Sequence, residues 1–417
     1  MPPFDHSTSV SLLLSLGLVI AAARLLGEIA KRFGQPSLVG ELLAGIILGP
    51  TVFGRIAPDS FAHLFPASGP LLVGQKSIIL IGVVFFLLTA GMEVNFEMVK
   101  RQSRTAFIVG ICGLVIPFAT GYYSTSIGIL SANLQPGIDP LLSQLFLATA
   151  FSISALPVIA RILIDLDRYK TSFGMTVITA AMLNDLVGWL VFGIIIGMLP
   201  GAGNSEFEIG PKILLTLLFF GLMLTIGTRL IHWGLAWISK HSRGTDPILG
   251  FVLAGALISA AFTDWIGIHA VFGAFVFGVA LGETGHLPNR IRVSLSHFVS
   301  FFFAPIFFGS IGLHLDVVNN FSLGLTVVVI ALATVCKLAG CALGARIAGE
   351  PVNESLAIGA ALNARGAMEI ILGLAAFQAG IITAAMLVAL IIMAIVTSIT
   401  SGTLIEFFLR KSTAAEQ

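Results

Sequence analysis

The sequence predicts an all-α membrane protein with thirteen transmembrane helices, and three observations support this fold class. First, of its 417 residues 57% are hydrophobic and only 10% are charged, whereas a soluble domain has about 25% charged residues. A soluble fold cannot bury that much apolar surface, so lipid must solvate much of the chain. The second observation is a series of long apolar segments, and the third is the distribution of basic residues between them.

A transmembrane helix needs roughly 17–25 mostly apolar residues. Thirteen segments meet this requirement, and we number them spans 1–13. Span 2 is short, and only Thr263-Asp264-Trp265 separates span 8 from span 9. The spans lie at about residues 9–27, 36–52, 75–97, 105–127, 140–164, 171–199, 212–238, 246–263, 266–283, 297–315, 321–347, 353–378 and 381–409.

The basic residues orient these spans. If the N-terminus is outside, the inward loops contain fifteen lysines and arginines, and the outward loops contain three, Arg55, Lys76 and Lys212. Cytoplasmic loops are enriched in Lys and Arg. We therefore expect the N-terminus outside and the C-terminus in the cytoplasm, in the cell (inner) membrane. The net charge of +1 gives no indication of a nucleic-acid partner.

An internal repeat is visible in the glycines. Gly40, Gly45 and Gly49 of span 2 match Gly273, Gly278 and Gly282 of span 9, at a constant offset of 233. In the same way, Phe86-Leu-Leu-Thr-Ala-Gly91 at the end of span 3 resembles Phe307-Phe-Gly-Ser-Ile-Gly312 at the end of span 10. Spans 1–6 would then correspond to spans 8–13, with span 7 as a linker helix. Units seven spans apart run in opposite directions, so the sequence predicts two inverted six-helix repeats, as in many secondary transporters.

The fifth span of each half contains a sequence that interrupts a helix. Span 5 reads Ala150-Phe-Ser-Ile-Ser-Ala-Leu-Pro157, and a proline removes a backbone hydrogen bond one turn earlier. Span 12 reads Leu362-Asn-Ala-Arg-Gly366 in its middle. We expect two broken crossing helices, since unwound backbone within a membrane is tolerated only in protein or beside water. A simple kink without a site is the alternative.

Four ionisable side chains lie deep within the spans, where their cost makes them functional candidates. Asp185 is near the middle of span 6, and Lys337 is in the second half of span 11. Arg365 and Glu369 are one turn apart in span 12, where they can form an ion pair.

A buried carboxylate suits cation/proton exchange, because it can bind a proton or a cation but hardly both. We expect Asp185 to be this group. Four neighbouring polar residues can add oxygen ligands for a hard monovalent cation: Asn184, Thr149, Ser152 and Ser154.

Each of these assignments has an alternative. Asp185 could form an ion pair that only orders the bundle, and Lys337 could be its switchable partner or a fixed structural one. Arg365 and Glu369 could brace the interrupted helix or bind ions. The hydroxyls of Ser152 and Ser154 could instead bond back to their own helix.

Four motifs resemble the monovalent cation:proton antiporter superfamily, specifically its second branch, which includes bacterial sodium/proton antiporters. The motif at Ser154 and the one at Asn184 are similar to those of the plant and fungal cation/proton exchangers. Together the motifs extend over nearly the whole chain. They are Gly40-Glu-Leu-Leu-Ala-Gly-Ile-Ile-Leu-Gly-Pro50, Ser154-Ala-Leu-Pro-Val-Ile-Ala-Arg-Ile-Leu163, Leu183-Asn-Asp-Leu-Val-Gly-Trp189 and Asn363-Ala-Arg-Gly-Ala-Met-Glu369.

This resemblance implies a homodimer with alternating access. It implies a dimerisation panel of residues 1–100 and 243–320, a linker helix at 201–242, and a mobile ion-carrying core of residues 101–200 and 321–417. It also implies Asp185 as the cation- and proton-binding carboxylate, with Asn184 beside it and Lys337 as the core lysine. Electrogenic members often have Asp-Asp at 184–185, and electroneutral ones usually have Glu at position 180, where this chain has alanine. The motifs therefore do not assign a stoichiometry.

The leading interpretation is an antiporter that exchanges Na+ or K+ for H+, without a cofactor. A cation-coupled symporter of a small organic anion on a similar fold is the alternative. An intramembrane enzyme is disfavoured, because an aspartyl type needs two apposed aspartates and only Asp185 lies at mid-depth, and a His-Glu-x-x-His-like metal motif is absent from the sequence.

Overall fold

The computed structural model describes residues 6–33, 35–94, 104–198, 209–242, 244–267, 269–285, 287–313 and 315–415. In this part of the chain, eleven helices are long and apolar enough to cross a membrane. Three shorter apolar helices overlap predicted spans 9 and 12: Ala270–Glu283, Val352–Leu362 and Met368–Gln378. The predicted all-helical membrane fold is therefore confirmed.

We number the α-helices in chain order. Two short π-helical segments, Met223–Gly227 and Val299–Phe303, connect neighbouring helices. The α-helices are α1 (His6–Arg32), α2 (Ser37–Leu48), α3 (Phe53–Ile56), α4 (Pro58–Leu64), α5 (Pro70–Glu93), α6 (Arg104–Ser124), α7 (Gly128–Ser131), α8 (Pro140–Ser152), α9 (Leu156–Asp165), α10 (Ser172–Gly197), α11 (Ile209–Leu222), α12 (Thr228–His241), α13 (Asp246–Trp265), α14 (Ala270–Glu283), α15 (Asn289–Phe298), α16 (Ala304–Leu313), α17 (Val317–Asn320), α18 (Leu323–Ile347), α19 (Val352–Leu362), α20 (Ala367–Gln378) and α21 (Ala384–Ala415).

The chain divides into two compact units. Unit 1 comprises Met1–Asn95 and Pro200–Asn319, and unit 2 comprises Phe96–Leu199 and Asn320–Gln417. Each unit thus combines one segment from the first half of the chain with one from the second half.

In unit 1, two pairs of helices pack closely through glycine. The helix α2 packs against α16, and a Cβ at Gly45 would overlap the carbonyl of Gly309. Likewise α14 packs against α5, and a Cβ at Gly278 would overlap the carbonyl of Leu88. Small residues allow such close backbone approach between helices in lipid. Both glycines belong to the repeated pattern found in the sequence.

In unit 2, α6 packs against α8, α10 and α18, and α19 packs against α18 and α21. A continuous apolar core includes buried residues of α9, α10 and α19, such as Ile159, Val177 and Ile358. Two of the predicted spans are interrupted within this unit. Span 5 is divided into α8 and α9, and span 12 is divided into α19 and α20.

Some predicted boundaries were wrong. Spans 8 and 9 are separated at 266–269 and not at Thr263–Trp265, because α13 continues through Trp265 and the chain turns at Gly267, whose φ is +83°. The helix of span 3 begins at Pro70, five residues before the predicted start at 75, because proline is well suited to the first turn of a helix.

Several predicted features lie outside the described residues. They are the ends of span 3 at 97 and of span 6 at 199, the expected division points at 100/101 and 200/201, and the inward basic residues Lys100, Arg101 and Arg243.

Candidate functional site

Buried charge is concentrated in unit 2. Among the described residues, five charged side chains are buried, and only Glu41 of these belongs to unit 1. The other four are the ionisable residues singled out in the sequence: Asp185, Lys337, Arg365 and Glu369. Since a buried charge is costly unless it is compensated, the partners of these groups determine what the site can do.

The first interruption, residues 153–155, leaves the C-terminal end of α8 without a continuing helix. The last four carbonyls of a helix lack partners within it. Here the carbonyl of Thr149 accepts from the backbone N–H of Ile153 at 3.1 Å. The carbonyls of the next three residues all accept from cationic side chains of α18 or of the second interrupted span.

Two cations bind these carbonyls. Arg365 donates from Nη1 to the carbonyl of Ala150 at 2.5 Å and from Nη2 to that of Phe151 at 2.8 Å. Lys337 Nζ donates to the carbonyl of Ser152 at 2.5 Å. Positive charge is favourable at the negative end of a helix dipole. The end of α8 is therefore both hydrogen-bonded and electrostatically compensated.

The second interruption, residues 363–366, contacts the first one directly. Ser154 Oγ donates to the carbonyl of Leu362 at 2.7 Å, and the backbone N–H of Ala155 donates to the carbonyl of Ala364 at 3.0 Å. The chain then passes through Gly366 in an extended conformation into α20. The two unwound segments thus provide hydrogen-bond donors for some of each other's backbone carbonyls.

Arg365 and Glu369 form an ion pair, with 3.2 Å between Nη1 and Oε1, and both side chains are almost fully buried. Arg365 Nη2 also donates to the carbonyl of Ala333 in α18 at 3.2 Å. The hydroxyl of Ser398 in α21 donates to the backbone carbonyl of Arg365. This arginine therefore connects α8, α18 and the second interruption.

Lys337 is surrounded by oxygen atoms. Besides Ser152, its ammonium donates to the carbonyl of Gly113 in α6 at 2.8 Å. In the amide orientation that satisfies both of its ends, Asn184 accepts from Lys337 Nζ at 3.0 Å and donates to the carbonyl of Gly110 at 2.9 Å. Three oxygens thus hold one monovalent cationic group.

Asp185 lies next to Asn184 in α10 and is 8% exposed. It interacts electrostatically with Lys337. One turn along the same helix, a Cβ at Gly188 would lie 2.9 Å from Cγ1 of Ile153 in the first interruption and 3.8 Å from Cε of Met368 in α20. The segment of α10 that carries Asp185 therefore packs beside both interrupted helices.

The three predicted hydroxyl ligands are buried but differ in their partners. Thr149 donates to the carbonyl of Leu145 at 2.7 Å, and Ser152 donates to that of Thr149 at 3.1 Å, so both bond back to their own helix. Only Ser154 bonds across to the second interruption. Because a hydroxyl that donates still has acceptor lone pairs, these bonds leave all three able to ligate a cation.

The sequence did not identify every polar group here. The carbonyl of Gly113 carries no signal in the sequence, since any residue supplies one. Asn363 stands in a quoted motif but was not assigned a role. Its side chain is fully buried, and in the part of the chain that the structure describes neither Oδ1 nor Nδ2 has a hydrogen-bond partner. An asparagine before Ala-Arg-Gly within an apolar span was the available signal.

Comparison with known proteins places this arrangement in a family. The model of the family "Sodium/hydrogen exchanger, transmembrane" matches residues 17–411. The Na(+)/H(+) antiporter NhaS4 of Synechocystis sp. is 30% identical over 406 residues, which are 96% of this chain and 98% of that protein. The Na(+)/H(+)-K(+) antiporter GerN of Bacillus cereus is 28% identical, over 94% of this chain and 95% of that protein.

Six plant and yeast cation/proton antiporters also match, and the chain spans only 44–48% of their length. Among solved structures, the sodium proton antiporter MjNhaP1 from Methanocaldococcus jannaschii aligns with a TM-score of 0.66 at 17% identity, covering 95% of this chain and 96% of that one. At this identity the match shows the fold alone. The chain belongs to the sodium/hydrogen exchanger transmembrane family and is a multi-pass cation/proton antiporter, not an enzyme.

Proposed function

We propose that this protein exchanges Na+, K+ or both for H+, with Asp185 as the group that the cation and the proton occupy in turn. One observation carries the proposal. The buried segment Asn184-Asp185 lies beside both interrupted helices and hydrogen-bonds to the buried Lys337. Intramembrane ionisable residues beside unwound backbone are typical of ion pathways.

The exchange follows from electrostatics. In a site of low dielectric constant, a carboxylate is neutralised either by a proton or by a cation, and occupation by both is costly. Binding of one therefore displaces the other, which couples the two fluxes. In this proposal Asn184, Thr149, Ser152 and Ser154 contribute oxygens around the cation at Asp185.

Lys337 is the proposed charge partner of Asp185. Its ammonium already occupies a site of three oxygens, which suits a small monovalent cation. A shift of the Lys337 ammonium toward or away from Asp185 would change the net charge around that carboxylate, and with it the affinity for a cation or a proton. Arg365 and Glu369 are proposed to brace the crossing of the two interrupted helices.

For alternating access, we propose thirteen spans arranged as two inverted six-helix repeats. In this arrangement span 2 corresponds to span 9, and span 3 to span 10. The packing of span 2 against span 10 and of span 9 against span 3, both through repeated glycines, supports this symmetry. The two interruptions, in the fifth span of each half, support it as well.

We further propose that residues 101–200 and 321–417 form an ion-carrying core that moves during transport. Residues 1–100 and 243–320 would form the dimerisation panel of a homodimer, with 201–242 as the linker helix. The separation of the chain at 95/96, 199/200 and 319/320 supports this division. The proposed location is the cell (inner) membrane, with the N-terminus outside and the C-terminus in the cytoplasm.

The symporter alternative receives no support from the relatives, whose names describe Na+/H+, K+/H+ and cation/H+ exchange.

A comparison of ions tests the proposed antiport against the symporter alternative. Proteoliposomes loaded with a pH gradient should release it on addition of Na+ or K+, with no organic anion present. Comparing Na+, K+, Li+ and Rb+ with and without a clamped membrane potential would give both selectivity and stoichiometry.

The decisive variant is Asp185→Asn. It preserves shape but removes the charge, so cation-dependent dissipation of the pH gradient should fall to background while the protein stays folded. Asp165→Asn is the matched control, because Asp165 is exposed in α9 and pairs only with Arg161 of its own helix at 3.0 Å among the contacts described. Wild-type exchange by Asp185→Asn would refute the assignment.

A further inference from the structure

We infer that Asn363 is a specificity-determining residue, whose side-chain oxygen binds the transported cation at the crossing of the two interrupted helices. The inference rests on the proposed function, since it adds a ligand to the same transport site. The chemical class of its ligand is a partly dehydrated monovalent metal ion.

The first argument is the state of the side chain. Asn363 is 0% exposed, and neither its Oδ1 nor its Nδ2 has a hydrogen-bond partner among the described residues. A buried amide can make up to four hydrogen bonds, and a buried donor or acceptor without a partner is destabilising because it has lost its hydration. Native proteins rarely retain such a group without a reason, and the binding of an ion is one of the recognised reasons.

The second argument is position. The carbonyl of Leu362, the residue before Asn363, accepts from Ser154 Oγ, and the carbonyl of Ala364, the residue after it, accepts from the N–H of Ala155. Asn363 is therefore bracketed by the two contacts that join the interruptions. Its own backbone N–H donates to the carbonyl of Gly359 at 3.1 Å, so its main chain is fixed while its side chain is uncommitted.

The third argument is that the neighbouring polar side chains already make hydrogen bonds to protein groups, whereas the Asn363 amide makes none with the described residues. Asn184 uses its amide on Gly110 and Lys337. The hydroxyl protons of Thr149, Ser152 and Ser154 are donated to carbonyls. An amide oxygen is a good ligand for hard cations. Of these side chains, Asn363 offers an amide oxygen that no protein donor competes for.

The test compares Asn363→Ala with Thr326→Val. Thr326 is the matched control, because its buried hydroxyl in α18 also lacks a hydrogen-bond partner within the described ranges. In proteoliposomes, loss of one neutral ligand should raise the KM for the cation roughly 5–30-fold in Asn363→Ala, with a change of relative rates among Na+, K+ and Li+. Thr326→Val should leave KM and selectivity unchanged.

A second readout separates ligation from packing. Cation added to purified protein should raise its melting temperature, because a ligand that binds only the folded state stabilises it. This cation-dependent increase should be smaller in Asn363→Ala and unchanged in Thr326→Val. If Asn363 only fills space, the alanine variant would melt lower in every salt but keep the cation-dependent increase and the KM, which would overturn the inference.

Two further variants complete the test. If Asn363→Ala does not assemble, Asn363→Asp decides, since it keeps an oxygen at the same place and adds charge. A KM at or below wild type together with a changed pH profile supports ligation, whereas unchanged KM and pH profile contradict it.

Asp185→Asn is measured in parallel. If Asp185→Asn exchanges cations for protons at the wild-type rate, the proposed function fails. If Asp185→Asn is inactive but Asn363→Ala has the wild-type KM and selectivity, only the inference about Asn363 fails.

Discussion

The two interrupted helices of unit 2 satisfy their exposed backbone in different ways. The first interruption, residues 153–155, ends a helix whose final carbonyls bind side chains supplied by α18 and by the second interruption. The second interruption, residues 363–366, receives a hydroxyl from Ser154 and a backbone N–H from Ala155. The first interruption thus accepts two fixed positive charges, and the second provides one of them, that of Arg365.

This difference separates two kinds of polar site. At the end of α8, Arg365 and Lys337 occupy the carbonyls of Ala150, Phe151 and Ser152, so a mobile cation would have to displace a fixed one. At the second interruption, the buried amide of Asn363 has no hydrogen-bond partner among the residues that the structure describes. The backbone carbonyls at the end of α8 are therefore neutralised by fixed cations, whereas the second interruption adds a side-chain amide to the ligands proposed for the transported ion.

Arg365→Ala should have the largest effect on stability. It would leave the carbonyls of Ala150 and Phe151 and the carboxylate of Glu369 buried without this partner. Removing one member of a buried ion pair costs about 3–5 kcal/mol, which corresponds to a decrease of melting temperature on the order of 10 °C. Thermal unfolding of the detergent-purified protein measures this decrease of melting temperature.

Glu369→Gln is the matched comparison for that variant. It removes the charge but keeps an acceptor for Nη1, so we expect a cost of only about 1–2 kcal/mol. Equal losses in the two variants would mean that Arg365 serves the ion pair rather than the end of α8, and the contrast between the interruptions would disappear.

Lys337→Ala should have the next largest effect. It removes a donor from the carbonyls of Gly113 and Ser152 and from Asn184, for a cost of roughly 2–3 kcal/mol. It should also change how exchange depends on membrane potential, because the charge beside Asp185 is lost. Potential-clamped proteoliposomes measure the second effect. Lys240→Ala, at an exposed position of α12, is the control, and identical behaviour of the two variants would contradict the role.

Ser154→Ala should have the smallest effect that is still measurable. It leaves the carbonyl of Leu362 without its hydroxyl donor, which should cost about 1–2 kcal/mol. Ser152→Ala should cost less than about 0.5 kcal/mol, because its hydroxyl only bonds back to Thr149, whose carbonyl also accepts from Ile153. Melting temperatures that rank the two serines in the opposite order would contradict the proposed link between the interruptions.

Much of this arrangement was predictable. Pro157 located the first interruption, and the spacing of four residues allowed the pairing of Arg365 with Glu369 that the structure contains. The repeated glycines at 45 and 278, which predicted an internal repeat, prove to be positions of close helix packing. The length of α13 was misjudged, because Thr263 and Asp264 look like loop residues although the helix continues through them.

The sequence by itself determined the lipid environment, the helical class, the interrupted spans and the identity of the buried charges, because these depend on composition and on local periodicity. Only the tertiary structure decided which groups meet. Any residue provides a carbonyl, so the sequence could not indicate that Lys337 binds Gly113 and Ser152 or that Arg365 binds the end of α8. The same limit applies to Asn363, because a hydrogen bond that is missing is a property of the packed neighbours and not of the residue.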